Sequence, residues 1–214
     1  MLTNLRLKMV LMITYLSHWD WILYKSRKDL VKYIQSEEIH AMCPNGVHRE
    51  EIESIYKGVS SWEINRNKIL DIKAIFSLRS HLKNAKSKFH CFTLKTGIIF
   101  SLANLFLENK AVLSITGLGF LFSRSSKAKL LRYLLKPFIS YLFNNAINVI
   151  IFQNTSDKDI FLNFSNFTNT TEVIPSSGIE SANFKIKDLP SSNPAKKKVI
   201  LVSRLLYDKG IMDY

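Results

Sequence analysis

The sequence of 214 residues contains only two cysteines, Cys43 and Cys91, and no Cys/His spacing that is typical of a zinc site. Two cysteines are too few for a disulfide framework, which indicates a reducing compartment. Long apolar runs are also lacking, since Met9 to Ile13 falls far short of the roughly 20 residues that a membrane span needs. These absences predict a cytoplasmic protein that is soluble or bound to a membrane surface.

Acidic residues are scarce as well. The chain has 17 Asp and Glu against 30 Lys and Arg, a formal net charge of +13, and no acidic residue lies between Asn109 and Ser156. Such a positive field attracts nucleic acid, an acidic membrane surface or phosphorylated substrates. The charge alone leaves the choice among these partners open.

Apolar strand patterns alternate with helical patterns along most of the chain. The strand patterns cover 9–16, 39–43, 88–92, 111–116, 148–152 and 171–174, and the helical patterns cover 21–36, 49–56, 67–85, 98–107 and 127–143. This alternation predicts an α/β fold, with a Rossmann-like parallel sheet and helices on both of its faces. Because ligands of such sheets bind beyond the carboxyl ends of the strands, the residues that follow each strand are the candidate site.

The composition changes after Ser176. Residues 185–197 contain Pro190, Pro194 and a lysine run and are predicted to be a linker, whereas 198–203 (KVILVS) predicts the first buried strand of a second domain. We therefore expect a first domain at 1–184, a linker at 185–197 and an incomplete second domain at 198–214.

Gly117 and Gly119 follow the predicted strand that ends at Thr116, as a loop that cradles phosphate should. Phe122 stands where a dinucleotide fingerprint has its third glycine, so the fingerprint is incomplete. What remains is a loop that is either a tight turn or a close approach of the backbone to a ligand.

Two further pairs carry candidate chemistry. His90 and Lys95 bracket a predicted loop after a strand, where a histidine is either structural or able to donate a hydrogen bond to a hydroxyl. Arg204 and Lys209 flank the start of a predicted helix and are either two solvated cations or a pair that binds one anion.

The predicted helix at 127–143 combines Lys129, Arg132 and Lys136 with many leucines. This pattern is typical both of a helix on an anionic bilayer and of a core helix with a solvated basic face.

Taken in order, several segments of the chain resemble the amino-terminal half of a glycosyltransferase family 4 enzyme, which has a two-domain GT-B fold. The likeness rests on 19–21 (WDW) with Arg27, 44–46 (PNG) with 49–52 (REEI), the loop at 90–95, 116–120 (TGLGF), 173–180 (VIPSSGIE) with Phe184, and 202–210 (VSRLLYDKG). The likeness is nearest to the bacterial branch that builds surface polysaccharides.

The resemblance implies a retaining transfer of a sugar from a nucleotide-sugar, such as a UDP-sugar, to a hydroxyl of a lipid-linked saccharide at the inner face of the cell membrane. It implies that Arg204 and Lys209 hold the donor diphosphate, that Thr116, Gly117 and Gly119 line the cleft, and that Arg27, His90 and Lys95 lie on the acceptor side. It names no catalytic base and implies neither metal nor cofactor. The family's glutamate motif is absent, so we expect a truncated enzyme that is inactive by itself.

The alternative is a basic protein without catalysis that binds an anionic membrane or nucleic acid, and salt-sensitive binding would distinguish it. Nucleic acid is not the expected partner, because the chain lacks an RNA-binding aromatic signature and a helix-turn-helix. A nucleotide-sugar epimerase is a third possibility, which the missing amino-terminal glycine fingerprint disfavours.

Overall fold

The computed structural model describes residues 12–34, 38–68, 70–123, 125–183, 199–203 and 210–212. The chain divides into two compact units, Met1–Ile179 and Glu180–Tyr214. The first unit carries every strand and every α-helix of the described residues.

Seven parallel strands form one sheet in the order β3-β2-β1-β4-β5-β6-β7. They are β1 (Met12–Ser17), β2 (Glu38–Met42), β3 (Gly58–Ser60), β4 (Lys88–Phe92), β5 (Ala111–Ile115), β6 (Ile147–Phe152) and β7 (Thr170–Val173). The predicted α/β fold with a Rossmann-like parallel sheet is therefore confirmed.

Within the described ranges, six α-helices flank the sheet. They are α1 (Asp20–Tyr33), α2 (Arg49–Ile55), α3 (Ile72–Leu82), α4 (Leu94–Ala103), α5 (Ser126–Ala146) and α6 (Thr155–Ser165). The sequence patterns did not predict β3, which has only three residues, or α6. Helix α6 is delimited by local geometry rather than by a strong apolar stripe: the Asn154 side chain accepts from the Asp157 amide at 2.7 Å, and Asn166 ends the helix in the left-handed conformation.

Each face of the sheet has its own apolar core. Tyr15 and Leu16 are neighbours in β1 but belong to different clusters, because successive side chains of a strand point to opposite faces. The Tyr15 cluster packs under α1 and α2, where it includes Leu23 and Ile52. The Leu16 cluster continues under α3, α4, α5 and α6. Helices on both faces bury the apolar strands, as a parallel sheet requires.

The strand order creates a topological switch point between β1 and β4. The chain first extends the sheet from β1 through β2 to β3, and it then returns to the other side of β1 to place β4. Connections after β1 and β4 leave in opposite directions, which opens a crevice at the carboxyl ends of these two strands. The fold therefore directs attention to the residues that follow β1 and β4.

The predicted strand at 198–203 is wrong for the residues that the structure describes. Residues 199–203 have no strand conformation, and Val199, Ile200 and Val202 are largely exposed. An apolar run becomes a buried strand only when a neighbouring strand completes its hydrogen bonds, and the pairings of the described residues include none for this run.

Candidate functional site

His18 is the first residue after β1 and lies at the switch point. Its backbone amide donates to the hydroxyl oxygen of Thr96 at 3.2 Å. Its ring nitrogen Nδ1 lies 3.1 Å from that hydroxyl and 3.0 Å from the hydroxyl oxygen of Thr93. Two threonines that follow β4 thus fix both the backbone and the ring of a histidine that follows β1.

Thr93 carries backbone strain at the same place. Its φ is 80° and its ψ is 150°, a conformation that is largely restricted to glycine and costs a β-branched residue about 1–3 kcal/mol. The residue is held there from several sides, since its amide donates to the carbonyl of Ser114 at 2.9 Å and its side chain caps the amino terminus of α4. The strain allows one side chain to cap a helix and contact His18.

The surroundings of His18 favour its neutral form. Burial lowers the pKa of this imidazole to about 4, and the positive charges of Lys95 and Arg66 act in the same direction. Near pH 7 the ring is therefore uncharged. Among the described residues the ring is hydrogen-bonded through Nδ1, which leaves Nε2 to accept or donate a proton.

A cavity of about 200 Å³ opens at the carboxyl ends of β1 and β2, next to Trp19, the residue that follows His18 in the chain. It is lined by Trp19, Asp20, Pro44, Asn45, Gly46, Val47, Ile64 and Arg66. The Arg66 guanidinium lies 4.7 Å from the centre of the Trp19 ring, and Trp19 in turn stacks on Trp21 at 5.2 Å between ring centres. The cavity is thus lined by an aromatic ring that packs against a cation, next to a carboxylate and an amide side chain.

The floor of the cavity depends on a close approach of backbone to side chain. A Cβ atom on Gly46 would overlap the carboxylate of Asp20, which is buried and accepts from the His48 amide at 3.1 Å. Glycine at position 46 therefore lets the loop after β2 close over the first turn of α1.

Lys95 lies in the first turn of α4, at the rim of the crevice. Its ammonium donates to the carbonyls of Arg66 at 2.8 Å and of Lys68 at 2.7 Å, and burial lowers its pKa. The predicted site residue Lys95 therefore anchors the connection between β3 and α3, which carries Arg66. The sequence patterns placed it in a loop, but α4 begins four residues earlier than the predicted helix start at Ile98.

The loop after β5 borders the crevice from the other side. Thr116, Gly117 and Gly119 are exposed at the carboxyl edge, and no atom of the described residues, chain neighbours aside, lies within 4 Å of a Cβ placed on either glycine. Gly119 has a φ of 63°, which favours glycine. The predicted cleft loop therefore presents open backbone at the same edge as Thr93, since β5 pairs with β4.

Arg27 and His90 lie apart from this rim, within an aromatic cluster. The guanidinium of Arg27 is 4.4 Å from the centre of the Phe92 ring, only 4% of the residue is exposed, and its Nε has no hydrogen-bond partner among the described residues. The ring of His90 packs edge-on against Tyr15 at 5.4 Å.

His90 lies inside β4, as the strand predicted at 88–92 requires, and therefore does not belong to the loop that follows this strand. Its Nε2 is 2.8 Å from the Ser114 hydroxyl oxygen on β5, and burial followed by the charge of Arg27 lowers its pKa to about 3. A polar side chain in a strand can point along one face of the sheet and bond to the next strand, which a sequence pattern does not reveal.

The structure thus brings Lys95 together with His18, Thr93 and Arg66, none of which the sequence analysis had selected. The position of His18 directly after β1 was the available signal. Arg204 and Lys209 lie outside the described residues.

No family model matches the chain, and no curated protein matches it in sequence. Among the described residues, no helix has both the length and the hydropathy required to cross a bilayer.

Proposed function

We propose that the chain contributes the acceptor-side domain of a glycosyltransferase. In this proposal a sugar passes from a nucleotide-sugar, such as a UDP-sugar, to a hydroxyl of a lipid-linked glycan precursor, with retention, at the inner face of the cell membrane. The resemblance of its ordered segments to glycosyltransferase family 4 suggests the reaction, and the crevice at the switch point supports it.

The observation that carries the proposal is that His18 and the Trp19 cavity lie at the same carboxyl edge of the sheet. A neutral imidazole with Nε2 available can hydrogen-bond to a sugar hydroxyl without the cost of burying a charge. Trp19 is 38% exposed although Arg66 and Trp21 pack on its ring, and the open part of the ring suits the apolar part of a sugar, with Asn45 and Asp20 lining the same cavity. The lining therefore suits the saccharide part of an acceptor.

The same edge is positively charged, which suits the phosphate groups of a lipid-linked saccharide. Arg66 lines the cavity, Lys95 lies beside it, and the amino terminus of α4 adds its partial positive charge. The open backbone at Gly117 and Gly119 lies on the opposite side of the crevice. In this proposal the nucleotide-sugar donor approaches from that side.

The test is a binding measurement on the 214-residue chain. Calorimetric titration with a short-chain prenyl-diphosphate disaccharide is expected to show saturable binding, which Trp19→Ala weakens about tenfold, since removing a stacked aromatic costs ~1.5 kcal/mol. Phe76→Ala is the matched control, because Phe76 is an exposed aromatic residue on α3, outside the crevice.

Binding of the disaccharide that Trp19→Ala leaves unchanged would contradict the proposed site. Absence of glycolipid binding, together with salt-sensitive binding of RNA or DNA, would favour the alternative of a basic nucleic-acid-binding protein.

A further inference from the structure

Helix α5 has two apolar faces, and only one of them is buried. Ala128, Ile139, Leu142, Phe143 and Ala146 pack into the core with exposed fractions of 3% or less. The opposite face is formed by residues spaced three or four apart, which places them on one side of a helix. They are Leu130, Tyr133, Leu134, Pro137, Phe138 and Tyr141.

This second face, which we call the α5 stripe, is strongly exposed. Leu130 and Leu134 are each 62% exposed, and Tyr133 is 79% exposed. At a rise of about 1.5 Å per residue, the stripe extends about 17 Å along the helix. A continuous apolar surface of this kind is uncommon on a soluble protein unless it contacts a partner or a membrane.

The charges beside the stripe indicate which partner it fits. Lys129 and Lys136 lie seven residues apart, on the same flank of the stripe, and no salt bridge of the described residues involves either. The sequence from Asn109 to Ser156, which contains all of α5, has no acidic residue. Lysines flanking an apolar stripe keep their charge at the level of lipid phosphates while their stems lie along the acyl boundary.

The composition of the stripe points the same way. Tyr133 and Tyr141 combine an apolar ring with a polar hydroxyl, which suits the boundary between lipid and water. A protein partner of ordinary composition would present acidic groups to the lysines, whereas an anionic bilayer presents a uniform negative surface along the whole helix.

We propose that the α5 stripe lies in the interface of an anionic phospholipid bilayer. The apolar side chains insert among the acyl chains, and Lys129 and Lys136 contact the phosphates. Helix α5 follows the loop after β5, so its first turns are close in sequence to the carboxyl edge of the sheet. The lipid contact stands independently of sugar transfer, but its use in bringing a lipid-linked acceptor to the crevice rests on the proposed function.

The experiment is flotation of the 214-residue chain with vesicles, which needs no sugar donor or acceptor. The chain is expected to float with vesicles of phosphatidylcholine and phosphatidylglycerol, but not with phosphatidylcholine alone. Leu134→Ser/Phe138→Ser is expected to lower the partition coefficient about tenfold or more, because two apolar side chains no longer insert. Ile72→Ser/Phe76→Ser is the matched control, since these apolar residues of α3 are as exposed but lie outside the stripe.

A second pair of variants tests the lysines. Lys129→Gln/Lys136→Gln is expected to weaken binding to anionic vesicles about thirtyfold, since each lysine near a lipid surface contributes ~1 kcal/mol. Lys73→Gln/Lys83→Gln serves as the control, with Lys73 on α3 and Lys83 directly after it. Equal loss in both double variants would assign the binding to net charge and overturn the proposal.

A fluorescent label on the α5 stripe provides a test that does not depend on a variant losing vesicle binding or failing to fold. An environment-sensitive fluorophore on Leu134→Cys is expected to shift to the blue with anionic vesicles, whereas the same label on Phe76→Cys does not. Because Cys43 and Cys91 are buried, the introduced thiol reacts first.

No flotation, equal flotation with neutral lipid, or a dimer that the stripe variants dissociate would overturn the proposal. Flotation without disaccharide binding would overturn only the proposed function.

Discussion

The Nδ1 atom of His18 lies 3.0 Å from the hydroxyl oxygen of Thr93, although the two residues are 75 positions apart in the sequence. The contact joins the carboxyl ends of β1 and β4 at the point where the strand order reverses. It requires Thr93 to adopt a conformation that favours glycine. The candidate site is therefore built on a strained residue whose strain the surrounding hydrogen bonds offset.

The strain at Thr93 can be measured. Thr93→Ala loses the helix cap and the contact with His18 but keeps the strained backbone, whereas Thr93→Gly loses the same contacts and relieves the strain. We expect the glycine variant to be more stable than the alanine variant by about 1 kcal/mol, although alanine is normally preferred over glycine. Urea unfolding of the two variants checks the order, and an alanine variant at least as stable as glycine would show that Thr93 is unstrained.

The two buried histidines predict a loss of stability in acid. The pKa of His18 is lowered to about 4 and that of His90 to about 3, below the 6.5 of an exposed histidine. Below pH 6.5 the unfolded chain binds these protons while the folded chain does not, so the free energy of unfolding falls as the pH drops through this range. This loss in the free energy of unfolding is absent above pH 6.5 and is complete below the folded pKa values.

The measurement is urea unfolding between pH 7 and pH 4.5. His18→Asn/His90→Asn is expected to flatten the pH dependence, and His81→Gln on α3 is the control that keeps it. A double variant with the slope of the unmodified chain would mean that other groups cause the acid sensitivity.

The buried guanidinium of Arg27 predicts an unusual response to substitution. Salt bridges of the described residues do not include Arg27, and burial lowers its pKa. Arg27→Met keeps most of the packing over Phe92 and removes the buried charge, so we expect a gain of about 1 kcal/mol in the free energy of unfolding. Arg27→Ala leaves a cavity and is expected to lose about 2 kcal/mol. Thermal and urea unfolding of both variants provide the check, and destabilisation by methionine would reveal a compensating partner for the charge.

The contact between Gly46 and Asp20 predicts a coupled pair. Gly46→Ala places a methyl group against the Asp20 carboxylate and is expected to destabilise the fold by about 1–3 kcal/mol. Asp20→Ala loses the hydrogen bond to the His48 amide but makes room, so the double variant should be more stable than the sum of the two single changes. Additive losses in a double-mutant cycle would contradict the close approach.

Local sequence patterns were sufficient for most of the sheet. Lys88–Phe92 was predicted to the residue, because an apolar run between polar segments is the direct signature of a buried strand. The three residues of β3 were missed, since so short an edge strand depends on pairing with β2 rather than on its own pattern. The apolar run at 199–202 shows the converse, because the same kind of pattern is exposed where no strand of the described residues pairs with it.

The sequence by itself determined the alternation of strands and helices, the excess of positive charge and the two apolar faces of α5, because each of these is a local or summed property of the chain. Only the tertiary structure decided that Ile139 and Leu142 face the core while Leu130 and Leu134 face outward, since a helix that is apolar on both sides can pack either way. The same holds for His18, whose ring meets Thr93 and Thr96 only because a long-range crossover places β4 beside β1. Such contacts depend on strand order, which no local pattern specifies.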